Sequence, residues 1–133
     1  MKTPNSLLKR LAQFVVAACC ISCAAAAETN VTHINAQQAQ KLIANKKVVV
    51  LDIRTPEEFA AGHIAGATNI NFRAADFEKA IAALDKNQTY VLHCASGNRS
   101  TQSLPTFSKL EFKSVCHLDG GIKAWHKAKL PVE

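Results

Sequence analysis

The stretch that decides the fold is YVLHCASGNRS, residues 90–100. Its first four residues are mostly apolar and read as a strand, its middle is small and polar, and a helix is predicted to follow from Ser100. Cys94 therefore stands at the end of a strand, just before a turn into a helix. In an open parallel sheet, ligands bind beyond the carboxyl ends of the strands. The stretch predicts a strand–loop–helix unit with its chemistry at Cys94.

Strands and helices alternate on both sides of this stretch. The pattern predicts strands over 31–34, 48–51, 67–70, 90–93 and 114–118, and helices over 36–44, 56–61, 75–84, 100–110 and 122–128. Asn35 is placed to cap the first helix, and Thr55-Pro56 with Glu58 is a start signal for the second. Pro105 is expected to kink the fourth helix or to reset its start. Alternation implies a parallel sheet covered on both faces, so the class is α/β and 133 residues make one domain.

The first 27 residues have the layout of a secretory signal peptide. Three basic residues are followed by a charge-free segment over 11–23 and by four alanines ending at Ala27. Cleavage after Ala27 leaves a domain of residues 28–133, exported and without a membrane span. Two alternatives stay open. The apolar segment can be a retained membrane anchor, or Cys19 can be a lipidation site because VAAC, residues 16–19, resembles a bacterial lipoprotein cleavage site.

Charge and cysteine count exclude several classes of function. Residues 28–133 carry thirteen Lys and Arg against ten acids, a mild and interspersed excess of +3 that does not suit a nucleic-acid binder. Three of the five cysteines lie in the apolar segment, namely Cys19, Cys20 and Cys23. The domain therefore keeps Cys94 and Cys116. Two cysteines give neither a disulfide framework nor a zinc site. We therefore expect no metal and no organic cofactor.

The loop after Cys94 is suited to holding an anionic sulfur. Its small residues and Gly97 allow successive backbone N–H groups to turn inward, and the next helix adds its N-terminal donors near Ser100. Arg99 adds a cation nearby. Such surroundings lower the pKa of a thiol and produce a nucleophilic thiolate. Cys116 lies in the middle of a predicted strand and is interpreted as an inert buried thiol.

Four motifs together resemble the rhodanese family of sulfurtransferases. They are DIRTPEE (residues 52–58), GHIAGA (62–67), CASGNRS (94–100) and LDGGIKAW (118–125), and the resemblance runs from about Ile34 to Pro131. It implies a five-stranded parallel sheet with helices on both sides. It also implies that Cys94 takes a sulfane sulfur from a small anionic donor such as thiosulfate, and passes it to a thiophilic acceptor such as cyanide or a protein thiol. The likeness is greatest to small single-domain rhodaneses exported to the bacterial periplasm, and we expect this chain to be a monomer.

The resemblance also assigns roles to the residues around Cys94. The active loop supplies the substrate-binding residues, namely Ala95, Ser96, Gly97, Asn98, Arg99 and Ser100. Asp52, Arg54 and Glu58 are interpreted as structural residues near the site, with Glu58 paired to Arg54 and Asp52 a candidate brace of the active loop. His93 precedes Cys94 in a strand and is expected to point to the opposite face.

Three other functions remain open at this stage. A cysteine phosphatase signature resembles H-C-x5-R-S, whereas this chain has one residue fewer between Cys94 and Arg99. A non-catalytic rhodanese-like binding module generally lacks the loop cysteine that this chain has. A periplasmic thiol–disulfide partner would use Cys94 together with Cys116.

Overall fold

The computed structural model describes residue 25 and residues 27–133. Its strands are β1 (Asn30–Ile34), β2 (Val48–Asp52), β3 (Thr68–Asn69), β4 (Thr89–His93) and β5 (Ser114–Leu118), and its helices are α1 (Ala36–Ala44), α2 (Pro56–Ala60), α3 (Phe77–Ala82), α4 (Asn98–Lys109) and α5 (Gly121–Lys127). All strand pairs are parallel, in the order β1-β5-β4-β2-β3. The predicted α/β class with a five-stranded parallel sheet is confirmed.

The predicted signal peptide lies almost wholly outside the described residues, as do Cys19, Cys20 and Cys23. Cleavage, lipidation and export therefore stay predictions. Within the part of the chain that the structure describes, no helix has both the length and the apolar character needed to cross a membrane.

Two apolar clusters cover the two faces of the sheet. Neighbouring residues of β4 and β5 alternate between them, as the strand period of two requires. Val91 and Cys116 belong to the cluster that packs α1 and α5, whereas Leu92 and Val115 belong to the cluster that packs α3 and α4. The central strands are therefore buried on both sides, which explains their continuous apolar sequences.

Local side-chain bonds set the starts of two helices as predicted. The side chain of Asn35 accepts the backbone N–H of Gln38, and the backbone N–H of Asn35 donates to the side chain of Gln38, which closes a capping box before α1. Thr55 and Glu58 make the same reciprocal pair before α2, where Pro56 occupies the first turn.

Most of the predicted elements begin or end one or two residues away from their positions in the structure. The third strand is only two residues long, and it pairs with β2 alone. Helix α3 begins at Phe77 and not at residue 75, after a turn in which the Phe77 N–H bonds to Ala74. Helix α4 begins at Asn98 and runs through Pro105 without interruption, so the expected reset of its start is wrong. The one backbone bond that Pro105 removes does not break a helix of twelve residues.

Candidate active site

Cys94 lies directly beyond the carboxyl end of β4, and its side chain is almost completely enclosed. The residue is 1% exposed. The backbone N–H of Gly97 donates to Sγ at 3.1 Å and that of Ser100 donates at 3.4 Å. The hydroxyl of Ser100 also lies 3.4 Å from Sγ. The loop and the first turn of α4 therefore converge on the sulfur from several directions, as the sequence predicted.

These donors change the acidity of the thiol. Burial alone raises the pKa of Cys94, because a low-dielectric environment disfavours the thiolate. Hydrogen bonds from the Ser100 hydroxyl and from the backbone of Ser100, Gly97 and Ser96 outweigh burial, and the net pKa lies below that of an ordinary cysteine. Cys116 has no such compensation, and burial raises its pKa. The site therefore favours a nucleophilic thiolate at Cys94 and an inert thiol at Cys116.

The start of α5 holds the active loop in place. The N–H of Ile122 donates to the carbonyl of Cys94 at 3.0 Å, and the N–H of Lys123 donates to the carbonyl of Ala95 at 3.1 Å. These bonds require a close approach of the two backbones at Gly121, which has a φ of +59°. A Cβ at Gly121 would lie 2.5 Å from the Cys94 oxygen and 2.7 Å from the Ala95 oxygen. The glycine pair of the sequence is thus part of the site.

Gly121→Ala is expected to destabilise the protein and to displace the active loop. Left-handed strain costs about 1 kcal/mol and each of the two loop bonds is worth about 1 kcal/mol, so the free energy of unfolding should fall by roughly 2–4 kcal/mol. Urea unfolding measures this loss. Alkylation of Cys94 by iodoacetamide should change in the same variant, because the donors to Sγ move with the loop.

Gly66→Ala is the matched control. Gly66 also has a positive φ, of +76°, but no described heavy atom lies within 4 Å of its hypothetical Cβ. This variant should lose only the strain, about 1 kcal/mol, and keep the reactivity of Cys94. Equal losses of stability in the two variants would contradict the role assigned to the close approach at Gly121.

Arg99 and Glu58 form an ion pair that the sequence did not predict. Arg99 donates to the two carboxylate oxygens of Glu58 at 2.8 Å and 2.9 Å. The expected pairing of Glu58 with Arg54 is therefore wrong. Sequence reasoning favoured the partner four residues away, whereas the fold brings in a partner 41 residues away. Glu58 also caps α2, so it joins the start of that helix to the active loop.

This ion pair largely neutralises the cation that was expected to face the loop. Hydrogen bonds from Arg99 outweigh burial and, with the backbone of Thr55, hold the pKa of Glu58 at about 2. The carboxylate is therefore charged throughout the neutral range. Because the folded-state pKa is depressed, the stabilising contribution of Glu58 is present above its ordinary value of 4.5 and is lost as pH falls toward 2.

Arg54 is bound by Asp52 instead, in a buried pair. The guanidinium of Arg54 makes contacts of 2.7–3.0 Å with both carboxylate oxygens of Asp52, and it donates to the carbonyl of Gly62 at 2.8 Å. Asp52 is completely buried and Arg54 is 6% exposed. The pair ties the end of β2 to the loop after α2.

His93 is the register partner of Asp52 in β2, its side chain lies on the same face of the sheet as that of Asp52, and it is fully buried. Burial lowers its pKa, so the ring is neutral. Its Nδ1 lies 3.0 Å from the Cys94 carbonyl, which can only accept, so Nδ1 carries the hydrogen. Its Nε2 has no hydrogen-bond partner among the described residues and lies 3.6 Å from a carboxylate oxygen of Asp52. Since the neutral ring carries no charge, this contact is not an ion pair.

The remaining loop residues differ in their surroundings. Gly97 and Ser100 are buried against the sulfur, while Ala95 is half-buried and uses its carbonyl to bind α5. Ser96 and Asn98 are exposed at the rim, where the side chain of Asn98 bonds to Gln102. The predicted binding set thus contains donors to Sγ, exposed residues at the rim, and two residues, Ala95 and Arg99, that contact α5 and Glu58.

Sequence reasoning missed a second polar cluster beside Ser100. The Ser100 hydroxyl lies 2.7 Å from Nε2 of His117, and Nδ1 of His117 lies 2.8 Å from Oδ1 of Asp119. His33 reaches the same Oδ1 at 2.7 Å. The two histidines are register partners of β1 and β5, so the predicted strands contained the signal, but only the strand order reveals it.

This cluster also contains the residue types that bind metal ions. The nitrogen–oxygen distances in the cluster are 2.7 Å and 2.8 Å, which are hydrogen-bond lengths. Two ligands of one tetrahedral zinc ion lie further apart, at about 3.3 Å. Both histidines donate to one carboxylate oxygen, and chelation would require these atoms to move apart.

The geometry defines a class of protein: an α/β domain that presents a hydrogen-bonded cysteine sulfur at the carboxyl edge of a parallel sheet. The family model of the Rhodanese-like domain matches residues 35–128. The chain belongs to the rhodanese family.

Individual relatives extend this assignment. The chain is 42% identical over 94 residues to the thiosulfate sulfurtransferase GlpE of Pseudomonas aeruginosa, covering 70% of this chain and 82% of that protein. It is 36% identical over 90 residues to the probable adenylyltransferase/sulfurtransferase MoeZ of Mycobacterium tuberculosis, covering 68% of this chain but only 23% of MoeZ. A crystal structure of a rhodanese-related protein from Thermoplasma volcanium superposes with a TM-score of 0.69 at 31% identity, covering 77% of this chain and 97% of that one.

Proposed function

We propose that the protein is a thiosulfate sulfurtransferase that carries a sulfane sulfur on Cys94. The observation that supports it most directly is the convergence of amide and hydroxyl donors on a buried sulfur. The similarity to GlpE and MoeZ supports sulfurtransferase activity in general. Thiosulfate as donor and cyanide or a thiol as acceptor are the finer parts of the proposal.

In the first step the Cys94 thiolate attacks the outer sulfur of thiosulfate. A new S–S bond forms on Cys94, the S–S bond of thiosulfate breaks, and sulfite leaves with the electron pair. The product is a persulfide anion. The N–H groups of Gly97 and Ser100 donate to Sγ, the inner sulfur of this persulfide, so the loop places hydrogen-bond donors beside the developing anion.

In the second step the acceptor attacks the outer sulfur of the persulfide. Cyanide leaves as thiocyanate, and the electron pair of the broken bond returns to Cys94 as a thiolate. Neither step needs a net proton transfer or a redox partner. The enclosed position of Cys94 suits the transfer of a single sulfur atom.

The arginine of the loop argues against a cysteine phosphatase. A phosphatase loop needs its arginine free to make a bidentate contact with phosphate. Arg99 makes its bidentate contact with Glu58 instead. The loop is also one residue shorter than the phosphatase signature.

The sheet separates the two thiols that a thiol–disulfide partner would use. Cys94 packs in the cluster of α3 and α4, and Cys116 packs in the cluster on the opposite face. Both are free and buried. Nothing in this arrangement favours a bond between them.

The test is thiocyanate formation from thiosulfate and cyanide by the full chain, with intact mass measured after thiosulfate treatment. Turnover together with a gain of one sulfur atom on the tryptic peptide of residues 87–99 supports the proposal. That peptide contains Cys94 and no other cysteine. A folded protein that neither turns over nor gains sulfur contradicts it and favours a binding module.

The proposal includes export to the bacterial periplasm, which is supported only by the sequence of residues 1–27. N-terminal sequencing of protein recovered from the periplasm tests it. A first residue of Glu28 is the expected result, and an N-terminal lipid on Cys19 would favour the lipoprotein alternative.

A further inference from the structure

A continuous chain of four hydrogen-bonded side chains leads from the sulfur of Cys94 to β5. Sγ lies 3.4 Å from Oγ of Ser100, and Oγ lies 2.7 Å from Nε2 of His117. The other ring nitrogen of His117 lies 2.8 Å from Oδ1 of Asp119. None of the roles described above uses His117 or Asp119.

The chemistry of the groups fixes the direction of these bonds. A hydrogen bond from His33 lowers the pKa of Asp119, burial partly offsets this, and His117 adds a second bond, so the carboxylate is ionised and only accepts. Nδ1 of His117 therefore carries the hydrogen, and in the tautomer with this one ring hydrogen Nε2 is an acceptor. While Cys94 is a thiol, the hydroxyl hydrogen of Ser100 lies toward Nε2, which is closer at 2.7 Å than the carbonyl oxygen of Gly97 at 3.1 Å, and the oxygen accepts the S–H of Cys94. The hydroxyl donates to Sγ only once Cys94 is a thiolate.

Burial isolates the chain from solvent at its inner end. Cys94 is 1% exposed, Ser100 is 0% exposed and His117 is 2% exposed. The active loop covers the imidazole, since a Cβ on Gly97 would lie 3.8 Å from its Cε1. The titratable groups that face His117 are Asp119, His33 with its ring 5.1 Å away, and Cys94 through Ser100.

We propose that His117, oriented by Asp119, accepts the proton of the Cys94 thiol through the hydroxyl of Ser100. The S–H bond breaks as Oγ takes that proton, and the original hydroxyl proton moves to Nε2 of His117. The products are a thiolate, an intact hydroxyl that now donates to Sγ, and an imidazolium. No proton leaves the chain of groups, so charge and atoms balance.

This assignment makes His117 a positioning residue, because it acts on Cys94 only through Ser100. Neither proposed sulfur-transfer step needs a net proton, so the proton stays on His117 through the cycle. The imidazolium also supplies a positive charge to a site in which Arg99 is paired with Glu58. The inference rests on the proposed nucleophile role of Cys94, but ionisation of the thiol can be measured without sulfur transfer.

The test is the pH dependence of Cys94 alkylation by iodoacetamide, a neutral reagent, in the full chain carrying His117→Gln. Glutamine reaches toward Ser100 but cannot take up a proton. The midpoint of alkylation is expected to rise by one pH unit or more, which makes alkylation below the midpoint about 10-fold slower. Mass analysis of the peptide of residues 87–99 assigns the reaction to Cys94.

His63→Gln is the matched control. His63 bonds to the carbonyl of Phe59, outside the active loop, so the midpoint should not move. Ser100→Ala should raise the midpoint in the same direction as His117→Gln. A wild-type midpoint in a folded His117→Gln protein would overturn the proposal.

A second measurement does not depend on the stability of the His117 variant. Nitrogen-15 NMR of the imidazole should show both ring nitrogens of His117 protonated in the wild type and only one in Cys94→Ser, because serine has no acidic proton to give. The same ring form in both proteins overturns the proposal. A shifted alkylation midpoint without thiocyanate formation would leave the inference standing and contradict the sulfurtransferase proposal.

Discussion

Cys94→Ser is expected to form no persulfide and to lower thiocyanate formation by about 10³-fold or more. The serine hydroxyl stays protonated at neutral pH and is a weak nucleophile toward sulfur. Its oxygen can still accept the N–H groups of Gly97 and Ser100, which lie 3.1 Å and 3.4 Å from the sulfur in the wild type. No amide of the loop is left without an acceptor, so the variant should remain folded. The loss of thiocyanate formation is then caused by the missing sulfur and not by unfolding of the protein.

Cys116→Ala is the control for this variant. Cys116 is the other free thiol of the described residues, and it packs in the cluster on the opposite face of the sheet. Removal of its sulfur should leave thiocyanate formation within about twofold of the wild type, since the truncation is small and remote from the loop. If Cys116→Ala loses persulfide formation while Cys94→Ser keeps it, the assignment of the nucleophile is wrong.

The position of Cys94 between a strand and a helix was predictable because it depends on contiguous sequence. An apolar strand, a run of small residues and a helix start can be recognised in residues 90–100 without knowledge of the rest of the fold. The capping boxes of Asn35 and Thr55 were predictable for the same reason, since each involves residues three positions apart. Local physics decides these features.

The partners of the active loop were not predictable in this way. Arg99 meets Glu58, and Ser100 meets His117, only because β4 lies between β2 and β5. The register of β1 against β5 likewise places His33 beside His117. Strand order is a property of the whole sheet, so residues distant in sequence cannot be paired from spacing alone. The prediction that paired Glu58 with Arg54 failed because it considered only neighbours in the chain.

Asp52→Ala is expected to lower the free energy of unfolding by about 3–5 kcal/mol. Asp52 is fully buried, and its carboxylate is the counter-charge of the buried guanidinium of Arg54. Truncation leaves that cation uncompensated. It also removes the acceptor of the Arg54 backbone N–H, which bonds to Oδ1 at 2.9 Å. Urea unfolding of the full chain measures the loss.

Two further variants test whether burial of the charges, and not the ion-pair distance, causes this loss in the free energy of unfolding. Glu78 and Lys109 approach to 2.6 Å, closer than Asp52 and Arg54, but both side chains are more than half exposed. Glu78→Ala should therefore cost less than about 1 kcal/mol, because water already screens and solvates both charges. Asp52→Ala/Arg54→Met removes both buried charges and should be more stable than Asp52→Ala alone. A double variant that is no more stable than the single one would mean that the cost comes from lost packing and not from a buried unpaired charge.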